Sequence, residues 1–341
     1  PEDLALARTA ADLRRAHAEG RIGIVLALEH PGRLGEDEAT VARLAAEGLR
    51  ANILAYDAPT ALADGHAGPA THGGLSPLGE KMVGWMQRHG ILVDLSHASA
   101  DTARDVLAIA TSPVIFSHSN AAALADVPRN VPDDVLRQLP ANGGVVMVSF
   151  APYFTSAPFA AWMARGDAFW EEALARHGGD RAQAGPEMAR WEAGNPPPAV
   201  GIAEVADHIE HIRDIAGVDH VGLGADFDGI AFKVAGLEDV ARYPRLLEDP
   251  RAGQRRGQPA ALEVAGDAKA FGVVLAIPGV VPGLGFEGVD DALWRQSGGA
   301  EPASGIGKAG TCGQQHAANG GQAQGFGRAV QGCVHGHRPV Q

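Results

Sequence analysis

Two kinds of hydrophobic pattern alternate along this chain. Short, predominantly apolar runs occur at Ile22–Leu28, Asn52–Tyr56, Ile91–Ser96, Val114–Ser117, Gly144–Phe150 and His220–Ala225. A run without polar alternation suits a strand covered on both faces, as in a parallel sheet. Between these runs, apolar positions recur every three or four residues. They predict helices over residues 2–19, over Glu38–Glu47 and from Ser76-Pro77 to Gly90, and again from Ser99 to about Ala110. Further helices are expected at Pro132–Leu139, Ile202–Ala216 and Leu237–Leu247. The stops and starts have local causes: Ser76 and Ser99 can cap first turns, Pro77 fits a first helical position, and Gly20, Gly48 and Gly90 close helices. Six strands alternating with helices predict an α/β fold with a parallel sheet, two strands short of a closed (β/α)₈ barrel. Either the sheet is open or two strands are missing.

The rhythm breaks twice. Residues 151–199 carry Trp162, Phe169, Trp170 and Trp191, read as mostly helical, and end in Pro196-Pro197-Pro198. They are expected to form an insertion over the rim of the sheet, a candidate lid whose aromatic residues pack rather than bind ligand. After residue 250 helical periodicity stops. Residues 251–341 hold 20 of the 45 glycines, a composition that does not favour a packed core. The expected division is a barrel domain over residues 1–250 and a Gly-rich tail over 251–341. That tail is read as disordered or as translated in a shifted frame.

The net charge of −13 argues against nucleic acid as a partner. No uninterrupted apolar run reaches the roughly 18 residues of a membrane span, and no secretory signal is visible in a chain that begins at Pro1. The compartment, cytoplasmic or periplasmic, is left open. Cys312 and Cys333 do not form a metal-spaced pair.

The chemistry gathers at strand ends. Glu29 closes the first apolar run, His97 and His118 close two consecutive ones, and Asp226 follows the last. Parallel strands joined by helices place their C-terminal ends on one rim, so residues distant in sequence can converge there. Imidazoles and carboxylates suit Zn²⁺, and a carboxylate can bridge two ions. A single such residue is ordinarily just a polar strand end. Four at successive ends would each need a partner if buried. Arg129 can clamp a substrate carboxylate or simply flank the helix after Pro132. His66, His72, His89, His177, His208, His211 and His220 are read as solvated or capping residues. Gly222-x-Gly224 is no nucleotide fingerprint, because no third glycine opens a helix.

Longer motifs carry a resemblance. HGGLSPLGEKMV (72–83), LVDLSHAS (92–99), PVIFSHSNA (113–121), RNVPDDVLR (129–137), VGLGADFDG (221–229) and GLEDVARYPRLL (236–247) resemble the membrane (renal) dipeptidase family, the M19 metallopeptidases. The resemblance covers about residues 1–248. It implies a TIM-like barrel, here incomplete with six of eight strands and an irregular tail. It also implies two zinc ions and hydrolysis of dipeptides, including those ending in a D-residue, by a metal-bound hydroxide. Glu29 resembles the bridging carboxylate, His97 and His118 the histidines of the second metal, and Asp226 the aspartate beside the first metal. Arg129 resembles the clamp for the dipeptide carboxylate. Tyr56 stands where many members place a substrate-contacting histidine. The family's His-x-Asp motif has no counterpart before Glu29, and His30-Pro31 replaces its usual glycines. The expectation is therefore a site with one ion and weak or absent turnover by this chain. The alternatives are a non-catalytic remnant or an amidohydrolase-like enzyme of altered substrate. A dipeptide is the expected partner, with a homodimer as the candidate assembly.

Overall fold

The structure, a computed structural model, describes residues 2–248 and 274–276. The chain runs β1 (Leu4–Leu6), α1 (Ala10–Ala18), β2 (Ile22–Leu28), α2 (Glu38–Glu47), β3 (Leu49–Ile53), α3 (Pro77–Arg88), β4 (Leu92–Asp94) and α4 (Ala100–Ile109). It continues through β5 (Ile115–Phe116), α5 (Asp133–Leu136), α6 (Leu139–Asn142), β6 (Val145–Val148), α7 (Pro152–Thr155), α8 (Ala157–Arg176) and α9 (Arg181–Gly194). Then come α10 (Ile202–Ala216), β7 (Val221–Leu223), α11 (Tyr243–Glu248) and β8 (Val274–Ala276). Strands β1 to β7 are neighbours in chain order and pair in parallel throughout. They form a curled, TIM-like half-barrel with helices against it.

Seven strands, rather than six, make this path. The additional one, β1, lies inside the stretch expected to be a helix from residue 2 onward. Leu4, Ala5 and Leu6 instead pair with Ile22, Gly23 and Ile24. The helix starts later because Thr9 caps it. Its hydroxyl accepts the Asp12 N–H, while the Asp12 carboxylate accepts the Thr9 N–H, a reciprocal pair that fixes the first turn. Strand β3 is also displaced toward the N-terminus. Gly48 sits at φ 119°, so the chain turns from α2 straight into Leu49, and Tyr56 falls in the loop beyond the strand. The last helix begins at Tyr243 after a short 3₁₀ turn capped by Asp239. Within the tail, Val274–Ala276 pairs in parallel with Ile24–Leu26. The remaining expectations for residues 251–341 lie outside the described residues. The helices over 151–199 form as expected, and Phe159, Trp162 and Trp170 are buried.

The core lies between sheet and helices. Val93, Val146 and Val148 are fully buried in the strands, in one cluster with Val106 of α4 and Val205 and Ile212 of α10. Burying each such side chain contributes about 1.5–3 kcal/mol. Two contacts in this core bear directly on the rim. Phe150, fully buried after β6, packs against Phe227 and Tyr243 with centroids 5.8 and 5.4 Å away. His208 of α10 is also fully buried. Its Nδ1 accepts the Ala121 N–H at 3.0 Å and its Nε2 donates to the Thr155 carbonyl at 3.0 Å. That pattern uses one donor and one acceptor, so it requires a neutral ring.

Burial holds the His208 pKa down, at about 4. A folded value below the unfolded one means stability that is complete above about pH 6.5 and is lost as pH falls toward 4. The expected outcome is a melting temperature that drops across this window, with a shallower drop in His208→Gln. A variant curve parallel to the wild type would contradict the assignment.

Gly224 gives a second test. A Cβ there would lie 1.9 Å from the Ser117 carbonyl oxygen and 2.9 Å from Met147 Cβ. Overpacking of this kind costs about 1–3 kcal/mol. Gly224→Ala is therefore expected to lower the melting temperature by a few degrees, measured by calorimetry.

Candidate metal centre

Parallel strands deliver their C-terminal residues to one rim, and there the structure assembles its polar cluster. Glu29 directly follows β2, His97 and His118 follow β4 and β5, and Asp226 follows β7. Two of these positions are strained. Among the described residues, His97 (φ 70°) and Asp226 (φ 65°) are the non-glycine residues with positive φ. This left-handed conformation costs an L-residue roughly 1–2 kcal/mol. Surrounding bonds hold the His97 turn: the His66 N–H donates to the His97 carbonyl at 2.8 Å, and the Ala98 N–H to that of Leu95 at 3.1 Å. Strain that the fold maintains at such positions is a mark of functional sites.

Three ligand-type atoms converge. His97 Nε2 and His118 Nε2 are 2.9 Å apart, and Glu29 Oε1 lies 3.5 Å from each. The outer ring nitrogens have their own partners. His97 Nδ1 meets Asp57 Oδ1 at 2.9 Å, and His118 Nδ1 meets Ser117 Oγ at 2.8 Å. Those contacts turn both Nε2 atoms toward the shared point. Two imidazoles and one carboxylate form the donor set of a three-ligand zinc site with a position left for water. Glu29, His97 and His118 thus fit an ion by donor chemistry. Burial, with Arg129 next, pushes the His97 pKa down to about 4 and that of His118 well below its ordinary value. Both are kept neutral, the form that ligates.

A second group adjoins the first. Asp57, His66 and His97 also bring ligand-type atoms together, with His66 Nε2 at 2.8 Å from Asp57 Oδ1. Asp57 was not singled out from the sequence, and His66 was read there as a solvated loop residue. One signal was present: Asp57 follows an apolar run just as Glu29 does. His66 had none, because it lies mid-loop and reaches the site only through long-range backbone pairing.

The remaining candidates sit beside the cluster. Arg129 is 4% exposed. Its Nη1 donates to Ser119 Oγ at 2.7 Å, whereas Nε and Nη2 are buried without a hydrogen-bond partner. Burial lowers its pKa, and Asp226, Asp94, Glu29 and Asp57 oppose that shift. Asp226 belongs to neither three-ligand group. It reaches the site through charge: burial and then Glu29 push its carboxyl up to about 7, against Arg129 and Lys233. Tyr56 lies over the His97 ring, stacked at 4.3 Å with an interplanar angle of 19°.

Residues 1–250 match the family model described as membrane dipeptidase, peptidase family M19. The chain belongs to that family. It is similar to the dipeptidase verJ of Clonostachys rogersoniana, 35% identical over 248 residues, covering 72% of this chain and 53% of that protein. It is also similar to the dipeptidase aclJ of Aspergillus oryzae, 36% identical over 253 residues and covering 73% and 51%. The chain spans about half the length of the curated relatives it matches. Among solved structures, a metallopeptidase from Rhodobacter sphaeroides, liganded with a phosphinate mimic of the dipeptide L-Ala-D-Ala, shares 26% identity and a TM-score of 0.60, covering 77% and 65%. The dipeptidase AC, a metallopeptidase of family M19, matches at 27% with a TM-score of 0.60, covering 77% and 66%.

For this M19 chain the candidate centre has a direct test. Zinc binding, followed by competition with a chromophoric chelator, is expected to fall at least tenfold in His118→Ala, which leaves two of three ligands. His211→Ala, whose ring bonds Asp133, is expected to bind like the wild type.

Proposed function

We propose that this chain is a zinc-dependent dipeptidase in which Glu29, His97 and His118 hold the ion and Arg129 binds the substrate's terminal carboxylate. Arg129 is the observation that carries the reading. A buried guanidinium with free Nε and Nη2 donors, close enough to the cluster to lower the His97 and His118 pKa values, suits a carboxylate that must sit near the metal. Those two donors lie on one edge of the guanidinium, so a carboxylate can accept both in parallel. Ser119 holds the opposite side of the group.

Zinc, when bound, supplies Lewis-acid polarisation of a peptide carbonyl and lowers the pKa of water. The chain's own residues do the rest. Asp226, raised to about 7 by burial and by Glu29, can take a proton on its carboxylate and return it to the departing amine. Tyr56 and Asp57 keep the His97 ring in place. The ligand of the Rhodobacter sphaeroides relative, a mimic of L-Ala-D-Ala, supports a dipeptide with a C-terminal D-residue as substrate.

A second reading is a chain that holds one ion and turns over nothing. The observation favouring it is that both three-ligand groups among the described residues use His97, so they are not two independent sites. An assay of Gly-D-Ala hydrolysis with added zinc separates the two. The dipeptidase reading expects turnover that disappears in His118→Ala. It also expects Arg129→Lys to lower kcat/KM about 10–100-fold, mostly through KM, since hydrogen bonds to charged groups contribute about 1.5–3 kcal/mol. Zinc bound with no hydrolysis would leave the remnant. Unchanged kinetics in Arg129→Lys would remove the clamp.

A further inference from the structure

The 57–74 loop contributes two side chains whose role lies beyond substrate and metal. We infer that Asp57 and His66 are positioning residues for His97: Asp57 selects the ring tautomer and edge that present Nε2 to the metal point, and His66 anchors Asp57. This rests on the reading of His97 as a ligand.

Asp57 Oδ1 is 2.9 Å from His97 Nδ1 and 2.8 Å from His66 Nε2. An ionised carboxylate only accepts, so both nitrogens carry hydrogen toward it. With Nδ1 protonated, a neutral His97 has its lone pair on Nε2, beside Glu29 and His118. The opposite tautomer would set a bare Nδ1 against a carboxylate oxygen. The Tyr56 ring, stacked at 4.3 Å and 19°, fixes the plane of the imidazole. The bond to Asp57 then decides which edge faces the cluster.

The backbone reinforces this arrangement. The His66 N–H donates to the His97 carbonyl at 2.8 Å, and the Ala67 N–H to the Asp57 carbonyl at 2.9 Å. The loop doubles back so tightly that a Cβ at Gly65 would lie 2.2 Å from the Asp57 carbonyl oxygen. One short segment therefore grips His97 by its ring and by its strained main chain.

Asp57, His66 and His97 could be taken for a second ion's ligands. His97 would then have to give up the hydrogen of Nδ1 as well, because its Nε2 already faces Glu29 and His118, and a neutral ring has one lone pair to offer. A carboxylate behind a metal-binding histidine typically affects metal affinity 10–100-fold when lost.

Two measurements on the full chain test the assignment. The first is the ¹⁵N NMR tautomer of His97 in metal-free protein. The expected result is Nδ1–H in the wild type, a shift toward Nε2–H in Asp57→Ala, and recovery of Nδ1–H in Asp57→Asn, whose amide oxygen still accepts. The second is zinc affinity by chelator competition. Asp57→Ala is expected to lower it about 10–100-fold at unchanged stoichiometry, and His66→Ala by less. Nε2–H in the metal-free wild type overturns the inference, as does unchanged affinity in Asp57→Ala. Loss of a whole equivalent of zinc in His66→Ala would make the trio an ion site instead, and also overturns it. Were the wild type to bind no zinc, the ligand reading of His97 would fall. The tautomer would still decide whether Asp57 positions the ring, including where Asp57→Ala does not fold.

Discussion

One buried cation organises the electrostatics of the rim. Arg129 lowers the pKa of His66, His97 and His118, and it opposes the upward shifts of Asp57, Asp94 and Asp226. A guanidinium in a low-dielectric setting is costly unless compensated. Here four carboxylates share that compensation, while the cation in turn opposes the upward push of burial on Asp57, Asp94 and Asp226. The histidines gain from the imbalance. Burial and a nearby positive charge both disfavour imidazolium, so their nitrogens remain free to ligate. An uncharged residue at position 129 would remove the positive charge that faces Glu29, Asp57, Asp94 and Asp226, with effects well beyond substrate binding.

The geometry that brings Arg129 there is inherited from local structure. His118 ends β5, and the segment that follows is fixed at several points. Asn120 accepts the Ser149 N–H at 2.8 Å and donates to Thr155 Oγ1 at 3.1 Å. His208 ties Ala121 to α7. Asn130 donates to the carbonyls of Ala125 and Phe154 at 2.8 Å. These are buried polar groups with specific partners, which specify one conformation more sharply than apolar packing does. The apparent loop between His118 and Arg129 is thus a rigid spacer.

Much of this was legible in the sequence, for reasons that can be named. The strands β2, β5, β6 and β7 lie in apolar runs, β4 lies in one interrupted only by Asp94, and Ser76 and Ser99 announced the helices they cap. Glu29, His97 and His118 stood out as polar residues closing such runs, and the fold brings their ligand atoms together. Strand β1 was obscured because Leu4 and Leu6 also fit the helical stripe of α1, and only the Thr9–Asp12 box separates the two. The role of the 57–74 loop was obscured for a different reason. Asp64 accepts the backbone N–H groups of Thr71, His72, Gly73 and Gly74, and its carbonyl accepts the Ser99 N–H and the Thr102 hydroxyl. Such a fold-back has no hydrophobic period. His66 therefore read as a solvated or capping residue and Asp57 was not singled out, because neither shows its role until the loop docks on the His97 turn.

The order of the strands separates two parts of the site. Glu29, Asp57, His97 and His118 all arise from β2 through β5, four consecutive neighbours in the sheet. Each adjacent strand contributes one group, so the three-ligand cluster depends on one contiguous register and not on the α8–α9 insertion. Asp226 depends on more. It requires β6 to pair with β5 and β7 to pair with β6, and the Gly224 backbone must pass close to the Ser117 carbonyl. The packing of Phe227 against Phe150 then anchors the segment beyond the strained Asp226 turn. The proposed metal ligands and the proposed proton carrier therefore lie on different stretches of the same rim. Weakening β6 or β7 should disturb the second before the first, since the ligands' own strands remain paired with one another.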